Sequence, residues 1–135
     1  MEKLELKYRD ALNALNTFKS IVKEPFSVIV RDAAIQRFEY TFEAFWKFIR
    51  EYLKEKEGIV ANSPKACFKE IFSLGFIREE ESVELQEMTD RRNDTSHTYK
   101  EEVAQAIYSK VADYALLMER TLARIGGKDS SASLR

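Results

Sequence analysis

The spacing of apolar residues between a few chain breaks is the feature that most constrains this fold. Only two prolines and four glycines occur in 135 residues, and they separate segments in which apolar side chains recur every three or four positions. Such spacing places apolar side chains on one face of an α-helix, whereas a half-buried strand needs alternation with a period of two. No segment sustains that alternation, so the sequence predicts an all-α protein.

Five segments carry the helical spacing. They cover approximately residues 4–22, 28–56, 63–75, 79–92 and 98–125. Four main helices and one short one predict an antiparallel, up-and-down four-helix bundle with one extra short helix, formed by residues 1–125 as a single domain. The C-terminal segment is small and polar after two glycines, and we expect residues 126–135 to be a flexible tail.

Residues suited to helix ends support two of these boundaries. Ser63 can accept a hydrogen bond as the N-cap of the short helix, with Pro64 in the first-turn position that needs no N–H, and Gly75 suits the left-handed position after the helix. Thr98 and Glu101 have the spacing of a capping box, with Thr98 as N-cap and Glu101 three residues later. We therefore expect the last helix to begin at Thr98.

The second helix carries more apolar surface than one stripe requires. Tyr40, Trp46, Phe48 and Leu53 lie partly outside its main apolar face. Two explanations remain open: a central helix with neighbours on both sides, or an interface with a second copy or another protein.

Charge and composition exclude several classes of protein. The chain has 22 basic and 23 acidic residues, a formal net charge of −1, so nucleic-acid binding would need a local basic patch. With Cys67 and His97 as its one cysteine and one histidine, neither an intrachain disulfide nor a Cys- or His-rich metal site is expected, and Cys67 has the spacing of a core residue. We expect no cofactor, no membrane-spanning helix and a cytoplasmic protein.

Residues 90–102 (DRRNDTSHTYKEE) concentrate the side chains suited to chemistry. Arg92 continues the inward stripe of Leu85 and Met88, so its charge must reach solvent, pair with an acid or bind an anion. Poor helix formers between Arg92 and His97 predict a chain break there.

That break would let the two side chains share a pocket beside a helix N-terminus, where phosphate is favoured. A guanidinium that stabilises a phosphate and a neutral imidazole that takes a proton from a ribose 2′-hydroxyl are suited to metal-free RNA cleavage. The structural alternative is that Arg92 pairs with Glu39 or Glu43 across the bundle and that His97 only packs or caps.

Residues 92–97 resemble the R-polar-x-x-x-H signature of the HEPN superfamily, and with Thr98 and Tyr99 they resemble the longer R-x4-H-x-Y form of HepT-like toxins. Residues 31–47, which include RFEYTFEAFWK, resemble the second helix of the nucleotidyltransferase substrate-binding protein family within that superfamily. The resemblance extends over about residues 4–125.

This resemblance implies a HEPN-like bundle that forms a homodimer and pairs with a separately encoded minimal nucleotidyltransferase. It implies that Arg92 and His97 are catalytic, that Asn93 supports them, and that Tyr99 is modified by AMP transfer. Three functions then remain open: a metal-independent ribonuclease toxin of a toxin–antitoxin pair, a non-catalytic subunit that binds nucleotide or another substrate for the nucleotidyltransferase, and an interaction bundle without a ligand.

Overall fold

The computed structural model describes residues 2–134 and, of these, the side chains of residues 2–127. Within this range the chain forms helices and no strand, so the prediction of an all-α bundle is confirmed. The α-helices are α1 (Glu2–Val22), α2 (Val28–Tyr52), α3 (Pro64–Ser73), α4 (Glu79–Asn93), α5 (Glu101–Tyr108) and α6 (Val111–Leu134). None of the described helices combines the length and the apolar character that crossing a membrane requires.

The second helix, α2, lies at the centre of the bundle and packs against α1, α3, α4, α5 and α6. Of the four side chains outside its main stripe, Phe48 and Leu53 are fully buried and Trp46 nearly so. Tyr40 alone stays 41% exposed, and its hydroxyl is hydrogen bonded to that of Thr17 on α1. The extra apolar surface of α2 therefore serves contacts with several neighbours inside one chain.

The predicted ends of α3 are confirmed. The Ser63 hydroxyl accepts a hydrogen bond from the Ala66 N–H at 3.2 Å, Pro64 opens the helix, and Gly75 has a left-handed φ of 84°. The second helical segment ends near residue 56, as predicted, but its last turn is not α-helical. Helix α2 passes into one π-helical turn, Leu53–Glu57, which ends at Gly58.

The prediction of one long final helix starting at Thr98 is wrong. Helix α5 starts at Glu101 and follows Lys100, which makes no side-chain cap, while the Thr98 hydroxyl donates to the Thr95 carbonyl at 3.4 Å. The Glu101 carboxylate accepts instead from the guanidinium of Arg31 on α2, an ion pair with a distant residue that replaces the local capping box.

A second interruption separates α5 from α6 at residues 109–110. The Ser109 hydroxyl donates to the Ala106 carbonyl at 2.7 Å, and this local bond competes with regular helix geometry. The structure therefore has two short helices, α3 and α5, where the sequence predicted one.

Gly126 has a packing role that its sequence context did not indicate. Helix α6 continues through it to Leu134, and a Cβ atom at this position would lie 2.1 Å from Cε1 of Tyr8 on α1. The glycine thus lets α6 approach α1 closely. The expectation of a flexible tail over 126–135 stays a prediction, since the side chains from 128 onward lie outside the described residues.

Helix α4, which carries the motif at its far end, is anchored at its beginning by Glu81. This fully buried carboxylate accepts from the Arg78 backbone N–H at 2.9 Å and from Arg124 Nη1 on α6 at 2.7 Å. Burial opposes ionisation, yet these hydrogen bonds and the nearby arginines lower the pKa of Glu81 to about 2. The first turn of α4 is therefore held against α6 by a charge-assisted network.

Candidate functional site

The motif residues lie where α4 turns into α5. Helix α4 ends at Asn93, a single 3₁₀ turn covers Asp94–His97, and further turn residues precede α5. We call residues 92–99 the α4–α5 corner. The predicted break between Arg92 and His97 is confirmed, although the chain tightens into a 3₁₀ turn before it reverses.

Arg92 at the corner is held by two carboxylates of α2. Its Nη2 and Nε lie 3.1 and 3.2 Å from Oε2 of Glu43, and its Nη1 lies 3.7 Å from Oε2 of Glu39. The Thr95 hydroxyl also donates to Oε2 of Glu39 at 2.8 Å. The structural alternative for Arg92 is thus observed: the guanidinium is fixed in position and its charge is compensated inside the chain.

His97 and Tyr99, by contrast, face solvent. Their ring centroids are 6.1 Å apart in an edge-to-face arrangement, and Tyr99 is 78% exposed. Asn93 is exposed as well. Within the described residues, no side-chain hydrogen bond holds any of these three, so their polar groups are accessible to a ligand or to another protein.

The structure does not join Arg92 to His97 by a hydrogen bond between described side chains, and it gives the two different surroundings. Arg92 is attached to α2 and partly covered, whereas His97 extends from the solvent side of the 3₁₀ turn. A substrate that engages both must therefore lie on the open side of Arg92, reaching the N–H groups that the carboxylates leave free.

The start of α5 offers less to a phosphate than expected from the sequence. Its first turn carries Glu101 and Glu102, and these carboxylates already interact favourably with the helix N-terminus and repel an anion. Phosphate recognition at the corner therefore depends on side chains more than on the end of the helix.

Arg31 is the residue with a structural role here that the sequence reasoning missed. It is buried on α2, where Nε donates to Asp32 at 3.2 Å and Nη1 to Gln105 at 3.2 Å and to Glu101. The bond with Glu101, partly opposed by burial, raises the pKa of Arg31 above its usual value. Arg31 precedes Ile35 by one turn on the inward stripe, the same signal that singled out Arg92, and it ties α5 to α2 beside the corner.

Two further observations complete the description of the chemistry available. Cys67 is buried, and burial raises the pKa of its thiol to about 11, which confirms a core residue rather than a reactive thiol. In the part of the chain with described side chains, no group of three or more His, Cys, Asp or Glu residues is arranged to hold a metal ion.

Comparisons with known proteins agree on one group of relatives. A sequence model described as nucleotidyltransferase substrate binding protein like matches residues 5–126. A Haemophilus influenzae protein named probable ribonuclease HepT is 31% identical over 87 residues. The match covers 62% of this chain and 58% of that protein, so it spans less than two thirds of the relative's length.

Solved structures show the same fold. A Thermus thermophilus protein is 48% identical with a TM-score of 0.82, covering 85% of this chain and 98% of that one. A Haemophilus influenzae protein, described as having the fold of a substrate binding domain of a nucleotidyltransferase, is 22% identical with a TM-score of 0.59, over 92% of this chain and 97% of that one. At this identity the second match supports the fold alone.

Proposed function

The chain belongs to the nucleotidyltransferase substrate-binding protein family, and we propose that it is the HEPN-type helical partner of a separately encoded minimal nucleotidyltransferase, with RNA-cleaving chemistry at the α4–α5 corner. The observation that carries this proposal is that His97 and Tyr99 are exposed at the corner whose Arg92 guanidinium is held in a defined position. An accessible imidazole and a positioned cation are the minimum for cleavage without a metal.

In the proposed reaction His97 acts as general base. It takes the proton of a ribose 2′-hydroxyl, the 2′ oxygen attacks the adjacent phosphorus, and the bond from phosphorus to the 5′ oxygen breaks. The leaving oxygen takes a proton from solvent, so the products are a 2′,3′-cyclic phosphate and a 5′-hydroxyl. Arg92 stabilises the extra negative charge on the phosphorus centre, and Asn93 supplies a neutral hydrogen-bond donor beside it.

A homodimer is part of the proposal. Two copies that face each other through their corners would place two guanidiniums and two imidazoles in one groove, which gives the local basic patch that a chain of net charge −1 otherwise lacks. A toxin of this kind would act in the cytoplasm, where its RNA substrates and the ATP used for its control are found.

Control by AMP transfer fits the position of Tyr99. The exposed phenol oxygen can attack the α-phosphorus of ATP bound to the nucleotidyltransferase, releasing pyrophosphate and passing its proton to solvent. The product carries a bulky phosphodiester next to His97. It would block the corner by steric hindrance and by repulsion of RNA phosphates.

The decisive experiment is cleavage of a short RNA by purified protein in the presence of a metal chelator. We expect a 2′,3′-cyclic phosphate product, and we expect His97→Ala to reduce the rate by about 10²–10⁴-fold. Lys110→Ala serves as the matched control, because this exposed lysine lies in the turn between α5 and α6, away from the motif. Activity that disappears in chelator or survives in His97→Ala would refute the ribonuclease proposal.

The second candidate is a non-catalytic subunit that binds nucleotide or another substrate for the nucleotidyltransferase. The pairing of Arg92 with Glu39 and Glu43 favours it, since a compensated guanidinium attracts a phosphate less strongly than a free one. This candidate predicts a stable complex with the nucleotidyltransferase and no RNA cleavage by either the wild type or His97→Ala.

A further inference from the structure

A second charged site lies at the C-terminal end of α2, whereas the corner contacts the middle of that helix. It is a cavity of about 370 Å³ between the start of α1, the end of α2 and the loop before α3, lined by Lys3, Arg50, Glu51, Lys54 and residues 59–62. We call it the cationic cavity. Its volume lies within the range of small-molecule sites.

The residues that line this cavity carry more positive than negative charge. It carries three cations and one carboxylate, and the Glu51 side chain, 7% exposed, pairs with Lys3 at 3.4 Å. Arg50 and Lys54 form no ion pair with any described carboxylate. The Arg50 guanidinium instead lies over the Trp46 ring, 4.9 Å from its centroid, which positions it without cancelling its charge.

The backbone here departs from regular helix geometry. The cavity includes the start of the π-helical turn Leu53–Glu57, and the Ile59 N–H donates back to the Leu53 carbonyl at 2.9 Å. π-Helical turns in proteins are frequent at functional sites. The loop that follows contributes an apolar wall, in which Val60 is 74% exposed.

We propose that the cationic cavity binds the phosphate of a nucleotide. Arg50 and Lys54 would bind the phosphate, and the buried Glu51 carboxylate would accept hydrogen bonds from a ribose hydroxyl or a base amino group. A single inorganic phosphate fills only part of the volume and makes no use of the carboxylate or of the apolar wall. This proposal does not depend on RNA cleavage at the corner.

The nucleotide has two sources with the same chemistry: a free mononucleotide or one unit of an RNA strand. Glu43, Lys47 and Arg50 are spaced by four and three residues, so they share one face of α2, and Lys54 follows four residues later in the π-helical turn. Eleven helical residues span about 16 Å, a distance that a strand of a few nucleotides covers. RNA lying at the corner could therefore reach the cavity along this face.

The test uses Trp46, the one tryptophan of the chain, whose fluorescence reports on Arg50. The purified protein is titrated separately with AMP, inorganic phosphate and a short RNA, and isothermal calorimetry gives the dissociation constants. We expect saturable AMP binding that Lys54→Glu weakens by about tenfold, the loss of one charge-assisted hydrogen bond. Lys110→Glu introduces the same charge change outside the cavity, and we expect it to leave binding unchanged.

The results of these titrations distinguish a free nucleotide from an RNA strand as the ligand. AMP binding that is sensitive to Lys54→Glu and insensitive to His97→Ala supports a free nucleotide. An RNA strand is supported if RNA binds and AMP does not, and if Lys54→Glu reduces the number of counterions released on RNA binding by about one. The proposal is overturned if no probe saturates, if phosphate binds as tightly as AMP, or if Lys54→Glu and Lys110→Glu behave alike.

Discussion

The α4–α5 corner and the cationic cavity place their arginines in opposite electrostatic conditions. Arg92 at the α4–α5 corner contacts Glu39 and Glu43, whereas Arg50 in the cationic cavity lies over Trp46 and pairs with no described carboxylate. The corner carries the family motif, yet its cation is compensated, and the cavity belongs to no motif, yet its cation is available. Matching a motif therefore indicates which residues are placed together, and their partners determine how strongly they attract an anion.

This difference suggests a division of roles. A compensated guanidinium is suited to a fixed position at a reacting phosphate, because the carboxylates hold it while some of its N–H groups remain free. An uncompensated one is suited to attracting and holding a phosphate.

Among the variants that test this division of roles, Arg92→Ala should have the largest effect. It removes the cation that we propose stabilises the transition state, and it leaves two carboxylates facing the corner, so the RNA cleavage rate should fall by about 10²–10³-fold. Arg92→Lys should recover little of the lost cleavage rate, because the point charge of an ammonium group cannot replace the paired N–H donors of the planar guanidinium.

Arg91→Ala is the matched control for Arg92→Ala, since Arg91 is adjacent and pairs only with Asp94 on the surface. Cleavage rates at fixed RNA concentration and melting temperatures would be measured for each variant. Equal losses in the two alanine variants would show that Arg92 has no special role.

Glu81→Gln should destabilise the fold by about 3 kcal/mol, because it removes the buried charge that pairs α4 with the arginines of α6. The effect should depend on pH. The pKa of Glu81 is lowered from 4.5 to about 2, so its stabilisation is fully present above pH 4.5 and is lost as the pH falls toward 2. Urea unfolding at about pH 7 and about pH 3 should show a smaller difference between variant and wild type at the lower pH.

Glu80→Gln is the control for Glu81→Gln, because Glu80 is exposed and pairs with Arg78 alone at 3.6 Å. We expect it to change the free energy of unfolding by less than about 1 kcal/mol at either pH. A similar loss in both variants would contradict the assignment of Glu81 as the anchor of α4.

Glu43→Gln should make Arg92 less compensated, and therefore more similar to Arg50 in the cationic cavity. It removes one negative charge from Arg92 while keeping a hydrogen-bond acceptor, so RNA affinity at low salt should rise by about three- to fivefold. Fluorescence anisotropy with a labelled RNA would measure it, with Glu5→Gln on the exposed face of α1 as the control for net charge. Unchanged affinity would mean that the carboxylates do not limit phosphate binding.

The smallest effect on folding and cleavage is expected from Tyr99→Phe. The exposed phenol makes no hydrogen bond with a described residue, so its loss should leave the melting temperature and the cleavage rate unchanged. Incubation with ATP and the nucleotidyltransferase should add the mass of AMP to the wild type and nothing to the variant. If Tyr99→Phe is still modified, the residue that accepts AMP is not Tyr99. Tyr40→Phe is the matched control, because Tyr40 is also exposed, and we expect this variant to be modified like the wild type.

Much of the helical framework could be predicted from local patterns. The apolar spacing located α1 to α4 within a few residues, and the caps at Ser63 and Gly75 were correct because each depends on neighbours within one helical turn. The predicted break after α4 was correct for the same reason, since Asn, Asp, Thr and Ser side chains compete locally with the helix backbone.

The failed prediction of a capping box at Thr98 depended on a distant partner. Thr98 and Glu101 have the right spacing for a capping box, but Glu101 pairs with Arg31, which lies 70 residues away in sequence. The close contact between Gly126 and Tyr8 likewise follows from the packing of α6 on α1, and the neighbouring sequence did not indicate it. The cationic cavity was not predicted at all, because the segments that line it are separated along the chain.

Residue spacing alone was therefore enough to establish a helical bundle, its main breaks and the residues of the motif, since these follow from interactions over three or four positions. It left open whether Arg92 would face an anion or an acid. That choice came from folding, which brings Glu43 within 3.1 Å of a residue 49 positions later and leaves Arg50 with an aromatic ring in place of a carboxylate. Charge compensation depends on distance in space, and spacing along the chain does not reveal it.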